Sequence, residues 1–261
     1  MRIAVAGKGG AGKTTISATL ARLVARQGTP VIAIDGDSNP NLAVALGVEP
    51  AVVESLSFLP ASLVSRRLDG PGLKVPVREV LGTHGVPAPD GVRLVLMGMP
   101  GHAGEGCLCS AHATVSALLG DLESEAGTVT VVDMEASPEH LSRGTTRYVD
   151  TVLLVTEPYY RSLEAIRRLG VLAQELGIPR VGVVANKVRS PDDAQVVAEF
   201  CDRHGLERLG EVPRSDAVVD ADLARVPLVD AAPNSPVVAA IAAIADRLPQ
   251  AIQPSRAPGG A

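Results

Sequence analysis

Short apolar runs alternate with amphipathic stretches along most of the chain. The runs are rich in Val, Ile and Leu, which predicts buried strands. The predicted strands are Ile3–Ala6, Val31–Ile34, Val92–Met97, Val129–Val132, Thr151–Val155, Val181–Ala185 and Arg208–Val212. Helical spacing of apolar residues predicts helices at Ile16–Gln27, Ala111–Leu122, Leu163–Leu176, Ala194–His204 and Pro236–Leu248. This alternation, with short connections, predicts an α/β fold with a doubly wound, mostly parallel sheet.

The pattern predicts a single domain over residues 1–248. Prolines break up residues 50–91, which are therefore expected to form an irregular insertion over the core, with a short helix within Val52–Leu59. Residues 249–261 are rich in Pro, Gly and Ala and are expected to be disordered.

The segment between the first strand and the first helix has the spacing of a phosphate-binding loop, G-x-x-x-x-G-K-[ST]. In such a loop the glycines let backbone N–H groups point at phosphate oxygens, the lysine neutralises phosphate charge and the hydroxyl binds Mg²⁺. Gly7 is the first fixed glycine of this motif, and the residues expected to bind the nucleotide are Gly9, Gly10, Ala11, Gly12, Lys13, Thr14 and Thr15.

Aspartates follow two of the predicted strands. Asp35 and Asp37 follow the second strand, and Asp133 ends the strand Val129–Val132. Open α/β sheets bind ligands at the carboxyl ends of their strands, so these side chains are expected near the phosphates. Asp133 has the Walker B position and is expected to hold Mg²⁺ together with Thr14. Asp37 is the candidate that orients the attacking water, and Asp35, deeper in the sheet, is assigned to the metal site as a structural or outer residue.

The segment Asn186-Lys187-Val188-Arg189 bears on which base is bound. Guanine-binding proteins use Asn-Lys-x-Asp, in which the aspartate accepts hydrogen bonds from guanine. Arg189 occupies that last position and offers no acceptor. This favours adenine, and therefore ATP, with Asn186 expected to bond the base edge; a turn residue after a strand is the other interpretation of Asn186.

Two of the three cysteines suggest a metal site. Three cysteines are too few for a disulfide framework, which predicts the reducing cytoplasm. Cys107 and Cys109 precede a predicted helix, where thiolates are stabilised. Two thiolates leave a tetrahedral site incomplete, whereas a symmetric dimer would bring four together into a closed site for a soft or borderline metal ion. A lone Cys-x-Cys is a weak motif, and His112 is either a replacement ligand or a helix-surface residue.

Charge and hydropathy argue against two classes of partner. The net charge is −5 without a long basic run, which disfavours tight non-specific binding to nucleic acid. The apolar runs fall short of membrane-spanning length, and the first residues predict a strand instead of a signal peptide. Neither nucleic acid nor membrane is expected as a partner.

The loop from Lys8 to Thr14 resembles the deviant Walker A loop of the SIMIBI dimerising ATPases. That group includes the nitrogenase iron protein and the septum-site and partition ATPases. The resemblance implies that Lys8 reaches across a dimer to the phosphates of the partner's nucleotide. Lys8 would then act in catalysis together with Lys13 and Asp37.

Within that group the chain is most similar to the CooC-type ATPases, which help insert nickel into carbon monoxide dehydrogenase. Three segments carry this resemblance: a switch I at residues 35–42, a Cys-x-Cys motif and helix at 107–113, and a switch II at 133–141. Ser38 and Ser137 depart from the usual pattern of the two switches. The resemblance implies an ATP-bound homodimer with Ni²⁺ or Zn²⁺ held between subunits by Cys107 and Cys109. It also places an adenine-binding loop at Pro213, Arg214 and Asp216.

The function predicted from these features is an ATP-hydrolysing dimeric switch that delivers metal to a client metalloenzyme such as carbon monoxide dehydrogenase. One alternative is a partition or septum-site type of positioning ATPase. Against it, residues 248–254 are broken by prolines and nearly uncharged, and a late helix has only Arg167-Arg168 as adjacent basic residues. Another is an electron donor with a bridging [4Fe–4S] cluster, but residues 133–144 contain no cysteine to hold one.

Overall fold

The computed structural model describes residues 1–37, 40–53, 56–67, 70–97, 109–122, 125, 127–135 and 148–248; of 66–67, 70–71 and 109–110 only the backbone is described. The strands are β1 (Arg2–Gly7), β2 (Val31–Gly36), β3 (Val64–Arg67), β4 (Gly70–Leu73), β5 (Val86–Pro87), β6 (Arg93–Leu96), β7 (Val129–Met134), β8 (Thr151–Thr156), β9 (Arg180–Val188) and β10 (Glu207–Pro213). The helices are α1 (Lys13–Arg26), α2 (Leu42–Leu46), α3 (Pro50–Val53), α4 (Val77–His84), α5 (Cys109–Asp121), α6 (Tyr160–Glu175), α7 (Pro191–His204), α8 (Asp216–Ala224), α9 (Leu228–Ala231) and α10 (Pro236–Asp246).

Within these described ranges, eight strands form one sheet in the order β10-β9-β8-β1-β7-β2-β6-β5. The strands run parallel, apart from the short β5, which pairs antiparallel with β6. The predicted doubly wound, mostly parallel sheet is therefore confirmed. β1 lies centrally between β7 and β8, so the loop that follows it opens at the middle of the carboxyl edge.

Helices cover both faces of the sheet, which explains why the strands are apolar on both sides. In β1, Ile3 and Val5 face the layer built by α1 and α10, whereas Ala4 and Ala6 face the layer built by α5, α6 and α7. With aromatic residues scarce, both layers are packed from Val, Leu, Ile and Ala. This rigid two-sided packing fixes the strand ends that carry the candidate site.

Residues 50–91 have more regular structure than their prolines predict. β3 and β4 form an antiparallel hairpin that packs on α5, where the Asp121 carboxylate accepts a hydrogen bond from the Leu73 backbone N–H at 3.0 Å. The helix predicted within 52–59 is wrong in position. The described helix starts at Pro50, since proline is favoured at the first helical position, and Phe58 instead forms a bridge with Leu96 beside the sheet.

Two further differences bear on the site. β9 runs on through Asn186 and Lys187 to Val188, although the prediction ended this strand at Ala185. The helix α8 was not predicted; it begins after Ser215, whose hydroxyl accepts a hydrogen bond from the Ala217 N–H. The predicted disordered tail, 249–261, lies outside the described residues. No helix in the described part of the chain is long and apolar enough to cross a membrane.

Candidate nucleotide site

The loop between β1 and α1 has a backbone that requires its glycines. Gly12 adopts a left-handed φ of 92°, and a Cβ there would lie 2.3 Å from Asn186 Nδ2. At Gly7 a Cβ would lie 2.3 Å from the Val155 carbonyl oxygen on β8. Two fixed positions of the predicted motif therefore have a steric cause in this fold. Gly9 and Gly10 are exposed at the loop's tip, and Lys13 is buried at the start of α1.

Two residues of β9 hold this loop from the side. The Asn186 Nδ2 group donates to the Ala11 carbonyl at 2.7 Å, and the Lys187 ammonium donates to the Gly10 carbonyl at 2.6 Å. Lys187 has a left-handed φ of 58°, and its backbone N–H donates to Asn186 Oδ1 at 2.9 Å. Both carbonyls are thus occupied by β9. The base-edge contact of Asn186 stays a prediction, and its described hydrogen bonds go to the loop and to Lys187.

A cluster of oxygen ligands lies at the start of α1. The Thr14 hydroxyl donates to Asp133 at 2.6 Å, and the Ser17 hydroxyl donates to the other carboxylate oxygen at 3.1 Å. Burial raises the pKa of Asp133 to about 6, although the Thr14 hydrogen bond and the Lys13 charge lower it. Hydroxyl and carboxylate oxygens are the ligands that Mg²⁺ prefers. Thr14 and Asp133 therefore fit this ion, which would neutralise phosphate charge when bound.

Asp35 pairs in register with Asp133 across β2 and β7. Its two carboxylate oxygens accept the backbone N–H groups of Leu42 at 2.9 Å and Asp37 at 3.2 Å. Burial raises the pKa of Asp35 to about 7, with smaller contributions from the charges of Asp133 and Asp37. These contacts suit a residue that shapes the loop after β2, and direct Mg²⁺ ligation by Asp35 stays a prediction. Asp37 is half-buried and close enough to raise the pKa of Asp133.

A cleft of about 560 Å³ opens beside the loop. This volume is within the range of small-molecule sites. Its lining brings together the residues predicted to hold the adenine and two residues of the phosphate loop: Asn186, Pro213, Arg214 and Asp216, with Gly12 and Thr15. Arg189 also lines it, but its guanidinium pairs with Asp193 at 2.8 Å. The cleft is continuous with the phosphate loop through Gly12 and Thr15, so one nucleotide can occupy both.

Lys8, the additional lysine of the loop, contacts Tyr159 in its own subunit. The ammonium donates to the phenolic oxygen at 3.2 Å and lies 5.3 Å from the ring centroid. Glu157 and Tyr159 follow β8 and also line the nucleoside cleft.

The predicted transition-metal residues are only partly described. Cys107 lies outside the described residues, and Cys109 is described only as the first backbone position of α5. His112 is buried, so the interpretation of a helix-surface residue is wrong; its neighbours on α5 pack beneath the β3–β4 hairpin. Within the described ranges, no three His, Cys, Asp or Glu side chains group closely enough to hold a metal ion.

Comparison with known proteins identifies the family. The CobQ/CobB/MinD/ParA nucleotide binding domain matches residues 3–240. The chain belongs to this family.

The chain is similar to the carbon monoxide dehydrogenase accessory protein CooC of Rhodospirillum rubrum. The two are 37% identical over 89% of this chain and 91% of that protein. An ATP-binding protein of Methanocaldococcus jannaschii is also 37% identical, over 87% of this chain and 91% of its own. The septum site-determining protein MinD of Pyrococcus horikoshii, solved with Mg-ADP, superposes with a TM-score of 0.68 at 18% identity, covering 94% of each chain. The predicted resemblance is confirmed, and the chain is an ATPase with a P-loop fold.

Sequence reasoning missed four residues of this ATPase site: Ser17, Glu157, Tyr159 and Lys187. Ser17 lies one helical turn after Thr14, so helix geometry could have placed it beside Asp133. Glu157 and Tyr159 follow β8, which pairs with β1 in the sheet. The rule that ligands bind at the carboxyl ends of parallel strands would have directed attention to them.

Proposed function

We propose that the chain is an ATP-hydrolysing dimeric switch that carries a metal ion between its subunits and assists nickel insertion into a client enzyme. The observation that carries this proposal is the 37% identity to CooC over 89% of the chain. Carbon monoxide dehydrogenase is the client suggested by the name of that relative. The Cys107-Leu108-Cys109 segment supplies thiolates suited to nickel or zinc as cargo.

The exposed surface beside the phosphate loop supports a dimer. Val44, Val219 and Val226 are 42%, 56% and 40% exposed, and they line a cleft of about 480 Å³ that also includes Gly10 and Thr14. Exposed apolar side chains grouped in this way are typical of interaction surfaces. A second subunit placed here would cover them and would bring its own Lys8 towards the exposed loop.

In the proposed cycle, each residue has a distinct role. Lys13 and the loop N–H groups bind the phosphates, while Thr14 and Asp133 hold Mg²⁺. Asp37 orients the attacking water, and Lys8 of the second subunit adds positive charge where the transition state needs it. Hydrolysis removes the γ-phosphate that holds the dimer closed. The two Cys-x-Cys pairs then separate and release the metal to the client.

The metal part of the proposal is tested by removing the thiols. A Cys107→Ser, Cys109→Ser protein should bind ADP normally but lose stoichiometric Ni²⁺ or Zn²⁺, measured by equilibrium dialysis. Full metal retention in that protein contradicts metal carriage. Cys201→Ser is the matched control, because Cys201 is buried in the core and its substitution should leave metal binding unchanged.

The dimer part is tested by size-exclusion chromatography with ATP and metal in every combination. Dimerisation that requires both supports the switch. Co-sedimentation of the ATP-bound protein with liposomes or DNA would instead support the partition or septum-site alternative. Lys8→Ala should abolish ATP hydrolysis by the dimer, and full hydrolysis by a Lys8→Ala monomer contradicts the role of Lys8 across the interface.

A further inference from the structure

Lys8 is held by a chain of contacts that starts from the core. The buried Ser162 hydroxyl accepts hydrogen bonds from the Glu157 backbone N–H at 2.9 Å and from the Thr156 hydroxyl at 3.0 Å. These bonds fix the backbone at the carboxyl end of β8. Glu157 is therefore anchored where its side chain contacts Tyr159 and Lys187.

The Glu157 carboxylate contacts two side chains that reach the loop. One oxygen accepts a hydrogen bond from the Tyr159 hydroxyl at 3.4 Å, and the other lies 3.3 Å from the Lys187 ammonium. Lys187 in turn donates to the Gly10 carbonyl. Because the phenol's single proton points to Glu157, its lone pairs are free to accept from Lys8, whose ammonium lies 3.2 Å away.

We propose that Tyr159 is a positioning residue that retains Lys8 within its own subunit until a second nucleotide-bound subunit competes for it. This inference rests on the proposed function of Lys8 in the dimer. In the proposed dimer the Lys8 ammonium leaves Tyr159 to reach the partner's phosphates. Tyr159 is 39% exposed, so its contact with Lys8 is open to solvent and can be exchanged.

The contact between Lys8 and Tyr159 raises the protein concentration that dimerisation requires. If Lys8 is released in only a fraction of the molecules, the apparent affinity for the second subunit is the intrinsic affinity multiplied by that fraction. An exposed hydrogen bond of this kind favours retained over released Lys8 by about threefold to tenfold. A symmetric dimer requires two releases, so loss of the phenolic contact should tighten the dimer by the square of that factor, about 10- to 100-fold.

The position of Lys8 can be measured directly by amine acylation. Tyr159→Phe keeps the ring, which lines the nucleoside cleft, and removes the hydroxyl. In the ADP-bound protein, acylation of Lys8 relative to the exposed Lys74, quantified by peptide mass spectrometry, should rise about threefold to tenfold. Tyr160→Phe is the matched control: it removes a hydroxyl from the adjacent, 76% exposed tyrosine and should change neither rate. Equal Lys8 acylation in wild type and Tyr159→Phe overturns the inference.

Analytical ultracentrifugation with a non-hydrolysable ATP analogue and metal, at saturating nucleotide, tests the consequence. Tyr159→Phe should dimerise at lower protein concentration than wild type or Tyr160→Phe. If Lys8 becomes more reactive while the dimer constant is unchanged, the competition is refuted. Lys8→Ala separates the two proposals: ATP hydrolysis by Lys8→Ala at the wild-type rate refutes the role of Lys8 across the interface, whereas the acylation result still reports whether Tyr159 holds Lys8.

Discussion

Replacing Asn186 by alanine distinguishes support of the phosphate loop from recognition of the base. The amide donates to the Ala11 carbonyl at 2.7 Å in a buried setting, where the residue is 8% exposed. Leaving a buried acceptor without its donor costs about 1–3 kcal/mol. If the ligand must return the loop to its wild-type conformation at that cost, phosphate affinity should fall by about 5- to 150-fold.

The assay is isothermal titration calorimetry of Asn186→Ala with MgADP and, separately, with magnesium pyrophosphate. Support of the loop predicts a similar fold loss for both ligands, because both use the loop. Lys187→Met, which removes a more exposed donor to the neighbouring Gly10 carbonyl, should cost less than about tenfold. An Asn186→Ala protein that loses ADP affinity but binds pyrophosphate like wild type would refute the reasoning and favour the base-edge contact.

Three further predictions concern the scaffold. Arg22 and Arg26 of α1 both pair with Asp90 and Asp230, but Arg22 is 3% exposed and also donates to the Leu46 carbonyl, whereas Arg26 is 37% exposed. Arg22→Met should therefore lower the free energy of unfolding in urea by about 3 kcal/mol and Arg26→Met by less than about 1 kcal/mol; equal losses would contradict the role of burial. The two guanidinium groups hold the pKa of Asp90 below its usual value despite partial burial, so the ionised carboxyl stabilises the fold at neutral pH. The stability gap between wild type and Asp90→Asn should therefore close as pH falls below about 4, and a gap that stays constant down to pH 3 would contradict this. Burial raises the pKa of Cys201 to about 11, so in Cys107→Ser, Cys109→Ser protein no thiol should react with Ellman's reagent until urea unfolds the chain.

The parts of the site predicted from sequence are those with a local signature. The phosphate loop is specified by nine consecutive residues, and Asp35 and Asp133 were found because each directly follows or ends an apolar strand. The fold class followed from the same alternation of strands and helices. Helix α8 also had a local signal, the capping Ser215, which the loop interpretation of residues 213–216 overlooked.

The remaining contacts were out of reach because they join distant positions. Lys8 and Tyr159 are 151 residues apart, and Gly10 and Lys187 are 177 apart. Their proximity depends on β8 lying next to β1 and β9 lying next to β8, an order that the apolar pattern does not specify. The misplaced helix at 52–59 has a similar cause, since pairing of Phe58 with Leu96 on β6 overrides the local helical preference.

These long-range contacts make one carboxylate common to phosphate binding and to the position of Lys8. The Glu157 carboxylate contacts both Lys187 and Tyr159. Lys187 donates a hydrogen bond to the Gly10 carbonyl, and Tyr159 accepts one from Lys8. A shift of the loop on nucleotide binding would therefore change both the Lys187–Gly10 and the Tyr159–Lys8 contact, because Gly10 and Lys8 belong to the same short loop. Asn186, by contrast, bonds Ala11 without contacting Glu157 in the described hydrogen bonds. Glu157 and Lys187 therefore link loop support to retention of Lys8, whereas substitutions at Asn186 and at the Tyr159 hydroxyl can separate nucleotide affinity from dimerisation.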